Sequence, residues 1–469
     1  MNHLLKPIIA VSLTFLLCSF NLYSQEAQDT MKLTLQEALD FALEQNTQLR
    51  NSSLDVKIAD EEVWITTAQG LPQISADGSY NNNLSLSTQL FPNFIEPTIL
   101  KVLMDQGVLP PDTPIPEPEK IEVQFGTQHN VTGTIQANQL IFSGPYIVGL
   151  QAARVYKNLA KEKHEMTKLN VKSNVTNTYH SILLTKKNIE ILNENLSNLN
   201  QTLEDTRAMY RNGMAEETDV DQLRLNVTSL ENNLKSTKRQ LESLKNLLKI
   251  QMGIELETPI VTTESVQRLV AENQLNQSFQ TDFNVEQNIN YKASKTQVEL
   301  SELDLKRQKA NFLPTLSAFY SFTENAMRDE FTFFDSGEPW YESSMVGFQL
   351  NVPIFSSFQR YSKVQKAKLN LKKSKNNLEN TRKNLRNQFI QARNNYLTAY
   401  EKFQNDKENK KLAKKIFNRT NKKYKEGMAT SMELTQANDK YLQMESAYIS
   451  SLIQLLNAKV ELEKILNEL

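Results

Sequence analysis

Tyr-Arg-Asn-Gly-Met-Ala at residues 210–215 recurs 214 positions later as Tyr-Lys-Glu-Gly-Met-Ala at residues 424–429. Two shorter motifs recur in the same order. They are Leu-Ile-Phe-Ser at 140–143 with Pro-Ile-Phe-Ser at 353–356, and Leu-Pro at 71–72 with Leu-Pro at 313–314. Ordered recurrence over this distance indicates that one supersecondary unit is used twice.

The offsets between the motifs place an insertion in the first half. The Ile-Phe-Ser motifs are 213 positions apart and the Leu-Pro motifs 242, so 29 additional residues (242 − 213) lie between residues 72 and 140. Seven of the 14 prolines fall within Leu90–Lys120 of this interval. Proline breaks helices and is excluded from central strands, so this segment is predicted to be a long surface loop.

The repeat predicts three parts: a first repeat at 25–250, a linker at 251–281 and a second repeat at 282–469. Each repeat is predicted to contain a helix ending near Leu-Pro, two strands joined by a loop, a very long helix, a Gly-Met-Ala turn and another long helix. The first helix is predicted to begin at a capping box, with Thr34 as N-cap and Glu37 three residues later.

Residues 1–24 have the composition of a secretory signal peptide. Lys6 supplies a positive charge before the 13-residue apolar run Ile8–Phe20, which is too short for a stable membrane-spanning helix. An uncleaved anchor is the alternative. Cys18, the only cysteine of the chain, lies in this run after the large Leu17, which argues against lipid attachment. The mature chain is therefore expected to have no disulfide and no thiolate metal site.

Heptad patterns dominate the long helices. One seam contains Leu223, Val227, Leu230, Leu234, Thr237, Leu241, Leu244 and Leu248. Its predicted antiparallel partner contains Ile182, Thr185, Ile189, Leu192, Leu196, Leu199, Leu203, Thr206 and Tyr210. The same spacing continues from Leu434 to Leu469. Alternating steps of four and three indicate coiled-coil packing, and the proline-free stretch Tyr146–Asn212 is long enough for a helix of ~100 Å.

Four shorter segments alternate with period two instead. The apolar members of the clearest three are Val131, Ile135 and Ala137; Leu316, Ala318, Tyr320 and Phe322; and Val346, Phe348, Leu350 and Val352. Ile74–Leu86 is a weaker example. One apolar face fits either a soluble sheet with one wet side or a barrel that faces lipid and encloses water. The second interpretation is favoured because the helices are committed to coiled coils.

Strand number then predicts the oligomer. Four strands have unpaired edges that lipid does not satisfy. Eight strands from two chains make a barrel that side chains fill, whereas twelve from three chains leave an aqueous pore. The sequence therefore predicts a homotrimer.

Composition excludes several functions. The formal net charge is −1, which gives no general basic surface for nucleic acid. The four histidines are scattered without metal-ligand spacing, and no phosphate-binding glycine motif occurs. We therefore predict no cofactor, no metal site and no enzymatic activity.

The chain resembles the TolC family of outer-membrane efflux proteins. The resemblance depends on Leu-Thr-Leu-Gln-Glu-Ala-Leu at 33–39, both Leu-Pro motifs and the duplicated Tyr-x-x-Gly-Met-Ala. It implies a mainly α fold with a small β part: a trimeric twelve-stranded barrel in the outer membrane, four strands per protomer, and a helical tunnel in the periplasm. It also implies a passive exit duct that works with a periplasmic adaptor and an inner-membrane transporter in efflux or type I secretion.

In the family, acidic residues just past the Tyr-x-x-Gly turn narrow the periplasmic entrance. The matching positions here are Asp219 and Gln222 in the first hairpin, and Glu433 and Gln436 in the second. One acid per hairpin is thus kept and the other is replaced by glutamine. Tyr210, Gly213, Tyr424 and Gly427 mark the turns themselves. The alternatives for the two acids are solvated charges in a first helical turn, or a catalytic carboxylate pair.

Other features leave more than one interpretation. The cationic stretch Lys402–Lys425 is either a solvated helix face or a docking surface for an acidic adaptor hairpin. The aromatic loop residues indicate either an interfacial belt or a folded cap; they are Phe331, Phe333, Phe334, Trp340 and Tyr341.

For the whole chain, the main alternative is a periplasmic coiled-coil adaptor, which would have a single hairpin. A structural envelope protein is the other alternative, and it would not need amphipathic strands. The sequence does not identify the cargo.

Overall fold

A computed structural model describes residues 30–117, 119–266, 268–269 and 283–469. The predicted signal peptide, with Cys18, lies outside these residues, and so does part of the predicted linker. The helices are α1 (Leu35–Gln45), α2 (Thr47–Ala68), α3 (Ile95–Asp105), α4 (Gly144–Arg211), α5 (Glu217–Met252), α6 (Ile289–Ala310), α7 (Gln359–Lys425) and α8 (Ser431–Leu466). The strands are β1 (Met31–Leu33), β2 (Gln73–Asn82), β3 (Ser87–Pro92), β4 (Lys120–Phe125), β5 (His129–Ser143), β6 (Ile260–Thr262), β7 (Thr315–Arg328) and β8 (Tyr341–Asn351).

The element order repeats as the sequence motifs do. Helix α2, strands β2 and β5, and helices α4 and α5 are followed by α6, β7, β8, α7 and α8 in the same order. The very long helices α4 and α7 have 68 and 67 residues, and the helices after each turn have 36 residues apiece. The first helix begins at Thr34, whose predicted capping box with Glu37 is present.

The described residues fall into two compact units. The first contains residues 1–57, 159–296 and 376–469, insofar as they are described, and it is helical apart from the parallel pair β1–β6. The second contains residues 58–158 and 297–375 and includes the larger sheet.

Coiled-coil seams form the core of the helical unit. Leu223, Leu248, Leu455 and Leu462 are at most 1% exposed, as their heptad positions predict. Each such side chain contributes about 1.5–3 kcal/mol by burial. Tyr210, which the pattern placed on a seam, is instead 44% exposed. It lies one residue before the end of α4.

A buried tyrosine ties the small β1–β6 pair to the helices. The Tyr179 hydroxyl donates to the carbonyl oxygen of Leu33 at 2.9 Å, and both residues are almost fully buried. Burial raises the pKa of Tyr179 to about 12, so the hydroxyl remains a neutral donor over the physiological range.

The second unit contains a four-stranded antiparallel sheet in the order β2-β5-β7-β8. Its register aligns the apolar positions of all four strands: Ile74 opposes Ala137, which opposes Tyr320, which opposes Val346. The neighbouring row of the other face is polar except at its last position, and it aligns Ser75, Gln136, Ser321 and Met345. The period-two prediction is therefore confirmed, including the weaker first strand.

The apolar face is largely uncovered. On β8, Val346, Phe348 and Leu350 are 76%, 73% and 62% exposed, and on β2 Ile74 is 75% exposed. Strands β2 and β8 are also the edges of this sheet. Among the residues that the structure describes, no helix has both the length and the hydropathy needed to span a membrane.

The prediction of an irregular loop at Leu90–Lys120 is partly wrong. Strands β3 and β4 pair from Ser87 with Phe125 to Pro92 with Lys120, and the 11-residue helix α3 follows β3. Pro92 ends the ladder, and Pro97 lies in the first turn of α3, where its missing N–H has no intrahelical acceptor to lose. The other described prolines of the segment lie outside helices and strands.

Removing this extension is expected to leave the fold intact. Replacing residues 90–122 with Asn-Gly joins Gln89 to its ladder partner Val123 through a two-residue hairpin turn. The ladder from Gln73–Asn138 to Asn82–His129 does not involve the extension. Circular dichroism should show no loss of helix beyond the 11 residues of α3, and a melting temperature within a few degrees of wild type. Deleting residues 77–79 of β2 is the control that should disrupt the sheet; equal damage in both variants would assign the extension a packing role.

The aromatic loop between β7 and β8 is a folded cap on the apolar face. Arg328 is 7% exposed; its Nη1 donates to Glu338 Oε2 at 2.6 Å, and its guanidinium carbon lies 5.5 Å from the Phe333 ring centroid. Phe331 packs edge-on against Tyr80 of β2, with ring centroids 5.7 Å apart. Phe334, Trp340 and Tyr341 remain exposed.

Candidate functional site at the hairpin turns

Both Gly-Met-Ala turns close with the same backbone hydrogen bonds. Gly213 N–H donates to Tyr210 O and Gly427 N–H to Tyr424 O, at 2.9 and 3.0 Å. The φ angles of the two glycines are +74° and +73°, in the left-handed region. Any residue with a β-carbon is strained at these φ angles. The strain comes from the backbone conformation alone, because a β-carbon built on either glycine meets no atom within 4 Å.

Gly427→Ala is accordingly expected to lower the free energy of unfolding by about 1 kcal/mol. Gly149→Ala is the matched control, because Gly149 lies inside α4 with ordinary φ and open space around its α-carbon. Alanine there should raise stability by roughly 0.5–1 kcal/mol. Thermal melts followed by circular dichroism should therefore shift in opposite directions; a shared direction would contradict the conformational explanation.

The two predicted entrance acids cap the helices that follow the turns. Glu433 is the third residue of α8, and its Oε2 accepts from Thr430 N–H at 2.8 Å. Asp219 is the third residue of α5, and its Oδ2 accepts from Glu216 N–H at 3.1 Å. Both carboxylates thus lie in the first helical turn, where the helix dipole favours negative charge.

Asp219 also links the two hairpins. Ser431 Oγ, at the start of α8, donates to Asp219 Oδ1. Further along, Asn226 Nδ2 donates to Thr435 Oγ1 at 3.3 Å. Asp219 is half-buried by these contacts, whereas Glu433 is exposed.

A second link joins Tyr424 to Thr206 of α4, with 2.6 Å between the hydroxyl oxygens. Thr206 Oγ1 donates its hydrogen to Thr202 O at 2.8 Å, so Tyr424 is the donor in the link between the hairpins. Tyr424 is 8% exposed and Thr206 is fully buried. Burial raises the pKa of Tyr424, helped by the charges of Asp219 and Asp205, which keeps its hydroxyl neutral.

The remaining candidates lie nearer to solvent. Gln222 is half-buried, and Gln436 and Tyr210 are exposed. In this part of the described chain, neither entrance acid forms an ion pair with Arg211 or Lys425; each carboxylate accepts from the backbone N–H of its N-cap residue.

Sequence reasoning did not identify Thr206 and Ser431 as functional residues. Thr206 appeared only as a seam position, and Ser431 matched no motif because its counterpart 214 residues earlier is Glu217. This difference between the two repeats was the sequence feature that could have pointed to Ser431.

The cationic stretch is not uniform. Lys410 Nζ lies 2.6 Å from Oε1 of the buried Glu445 on α8 and 4.1 Å from the centroid of the Tyr448 ring. Lys410 therefore belongs to the hairpin interior. The eight other lysines of the stretch are exposed on α7: Lys402, Lys407, Lys411, Lys414, Lys415, Lys422, Lys423 and Lys425.

The family of the chain follows from comparison with known proteins. The family model described as outer membrane efflux protein matches residues 38–251 and 285–468, which is 398 of 469 residues (214 + 184). The chain belongs to the outer membrane efflux protein family. Its predicted location in the outer membrane and its role in efflux are thereby confirmed, and the alternatives of a periplasmic adaptor and a structural envelope protein are excluded. No curated protein matches the chain in a sequence comparison.

Solved structures share the fold. CusC, whose structures concern folding and transmembrane channel formation, is 15% identical with a TM-score of 0.70, over 92% of this chain and 91% of that one. The outer membrane protein VceC from Vibrio cholerae is 15% identical with a TM-score of 0.69, over 92% and 95%. The Campylobacter jejuni CmeC outer membrane channel is 18% identical with a TM-score of 0.67, over 92% and 85%. The fold that the TolC resemblance implied, long coiled-coil helices with a small β part, is confirmed.

Proposed function

We propose that this efflux protein is one protomer of a homotrimeric, passive exit duct. In this proposal the duct works with a periplasmic adaptor and an inner-membrane transporter that supplies the energy. The repeats at 25–250 and 282–469, joined by the linker at 251–281, each contribute two strands and one helical hairpin. Three chains then supply twelve strands and six hairpins.

The observation that supports this proposal most is the uncovered sheet. Its apolar face is exposed on the edge strands β2 and β8 and in part on β5 and β7, and its edges β2 and β8 present unpaired backbone groups. Lipid covers an apolar face without hydrogen bonds, but edge strands in lipid need partner strands. A neighbouring chain's β8 alongside β2 satisfies both edges and closes a barrel with no free edge.

Apolar side chains next to the sheet support the same arrangement. Ile58 and Ile65 of α2 are 63% and 52% exposed, and Tyr361 and Leu369 of α7 are 57% and 67% exposed. Exposed apolar patches of this kind mark protein interfaces. Neighbouring copies of the same unit are the occupants that the trimer provides.

At the hairpin turns, three-fold symmetry makes each acid a ring of three carboxylates. We infer a narrow resting entrance, held by the links from Tyr424 to Thr206 and from Ser431 to Asp219. Negative rings favour cations over anions. The exposed lysines of α7 are a suitable docking surface for an acidic adaptor hairpin.

Planar-bilayer recording of the purified trimer tests this proposal. Wild type is expected to show a low-conductance, cation-selective pore. Each carboxylate ~8 Å from a cation contributes about 0.5 kcal/mol in water, so removing a ring of three changes cation preference by up to about tenfold, less at high salt. Asp219→Asn with Glu433→Gln should therefore weaken selectivity while an acceptor oxygen remains for each cap.

Glu408→Gln is the control, because Glu408 is an exposed acid on α7 well before the turn. It should leave selectivity unchanged. If the double variant also keeps wild-type selectivity, both acids serve as helix caps outside the pore. Absence of any channel activity or of a trimer would overturn the exit duct itself.

A further inference from the structure

A groove of about 900 Å³ runs along helix α4 in the second unit, between helices α2 and α6. Its floor is a stripe of small or compact residues on α4: Pro145, Gly149, Ala152 and Ala153. Thr66 of α2 and Leu300 of α6 belong to its two walls. A β-carbon built on Gly149 meets no atom within 4 Å, so the space above the floor is open. The volume matches that of sites that bind drug-sized organic molecules.

Close contacts at the sheet end of the three helices fix the walls of the groove. The Tyr146 hydroxyl donates to the carbonyl oxygen of Thr67 at 3.2 Å, which joins α4 to α2. Tyr146 also packs against Gly70 so closely that a β-carbon on this glycine would overlap the tyrosine ring. On the other side, a β-carbon on Gly144 would lie 2.8 Å from Leu313 Cδ1, just beyond the end of α6. The groove is therefore preformed, and a ligand does not have to create it.

The register of the sheet shows on which side the groove opens. Leu140 and Ser143 of β5 line its end. They oppose Ser317 and Thr315 of β7, which share a sheet face with Ser321 because side chains alternate along a strand. Ser321 belongs to the polar row described above. In the proposed barrel this face encloses water, so the groove opens towards the pore.

Glu62 gives the groove a net negative charge. Glu62 and Arg307 are the charged side chains that line it. Arg307 already pairs with Asp304, with 2.8 Å between Nη2 and Oδ1, and Lys157 of α4 pairs with Asp60. Neither of these cations therefore neutralises Glu62, whose exposed carboxylate remains available at the α2 wall.

We infer that this groove binds amphipathic organic cations as they pass through the duct. The inference rests on the proposed exit duct and names a class of cargo for it. The cationic group of such a molecule pairs with Glu62, and its apolar body lies over the small residues of α4, between Leu140 and Leu300. Ile58, four residues before Glu62, lies at the edge of the groove beside the stripe that a neighbouring copy covers. An exposed carboxylate attracts a cation only modestly, which suits a conduit that must release what it binds.

Dye binding to the purified protein in nonionic detergent tests this inference. Rhodamine 6G is the probe, because it has a flat apolar ring system and one positive charge. Fluorescence anisotropy should show saturable binding that Glu62→Gln weakens roughly fivefold, the effect of one charge pair at ~4 Å in water. Gly149→Leu, which fills the open floor, should weaken binding as well. Sulforhodamine B, with the same ring system and a net negative charge, should bind less tightly than rhodamine 6G.

Glu61→Gln is the matched control. Glu61 is exposed on the same helix and carries the same charge, but it does not line the groove. Dye binding by this variant should equal that of wild type. If Glu62→Gln bound rhodamine 6G as tightly as wild type, or if Glu61→Gln lost the same affinity, the site would be overturned. Circular dichroism of all variants separates a lost site from a lost fold.

The outcomes for the groove and for the exit duct are distinguishable. The groove is formed within one chain, so dye binding is measured even if mass photometry shows only monomers; monomers would overturn the duct but not the site. In planar bilayers, rhodamine 6G should reduce the current through wild-type trimers at an about fivefold lower concentration than through Glu62→Gln trimers. A dye that binds the trimers but leaves the current unchanged would overturn the placement of the groove on the pore side.

Discussion

Phe348→Arg is expected to abolish assembly of the protein in the outer membrane. Phe348 lies in the middle of β8, 73% exposed between Val346 and Leu350 on the apolar face. An arginine on the lipid face at the bilayer midplane costs about 2–4 kcal/mol, and a trimer contains three, so the total is roughly 6–12 kcal/mol. That is comparable to the whole stability of an ordinary domain.

Gln349→Arg is the matched control. Gln349 is the next residue of the same strand and points to the polar face, opposite Ser317 of β7. In a water-filled barrel the same charge there faces the pore, so trimer yield should stay near wild type. Both variants are compared by membrane fractionation and by the heat-sensitive trimer band on gels. If both variants lost the trimer to the same extent, or if neither lost it, the result would contradict a lipid-facing assignment of the apolar face.

Periodicity in the sequence was sufficient to predict most of the fold. Leu223 and Leu455 are buried because a heptad step of three or four keeps a side chain on one helix face. Ile74 and Val346 share a sheet face because alternation fixes the register once strands pair. These are local rules, and one sequence is enough to apply them.

The parts that sequence reasoning missed depend on contacts between distant segments. Helix α3 was missed for a local reason instead. It forms in a proline-rich segment because the prolines lie at the helix start and after the helix end, and the number of prolines alone does not show their positions. The sequence alone does not distinguish Lys410 from the solvated lysines around it. Its partner Glu445 is 35 residues later in the chain and is buried beside it. The partners of Asp219 and Tyr424 are likewise more than 200 residues away.

The candidate site shows the same limit. Motif matching selected Asp219 and Glu433 as equivalent positions, and both are indeed third residues of their helices. The structure separates them, because Asp219 binds Ser431 of the other hairpin and Glu433 binds only its own helix start. A repeat in sequence predicts equal local structure, but the two copies have different neighbours.

Tyr424→Phe combined with Ser431→Ala is expected to open the resting entrance. The two substitutions remove the donors to Thr206 and Asp219, while the helices keep their seams and caps. Each hydrogen bond contributes about 1 kcal/mol net, so a trimer loses roughly 6 kcal/mol of preference for the closed state. Because 1.4 kcal/mol is a tenfold change, a mostly closed channel should become mostly open, with a several-fold rise in conductance.

Planar-bilayer recording and passage of large antibiotics through outer membranes of expressing cells measure this opening. Tyr156→Phe with Ser450→Ala is the matched control, since both residues are exposed and distant from the turns. Trimer yield and melting temperature must stay close to wild type in both variants, which separates opening from unfolding. A double variant that folds and assembles but conducts like wild type would show that the entrance is closed by other contacts.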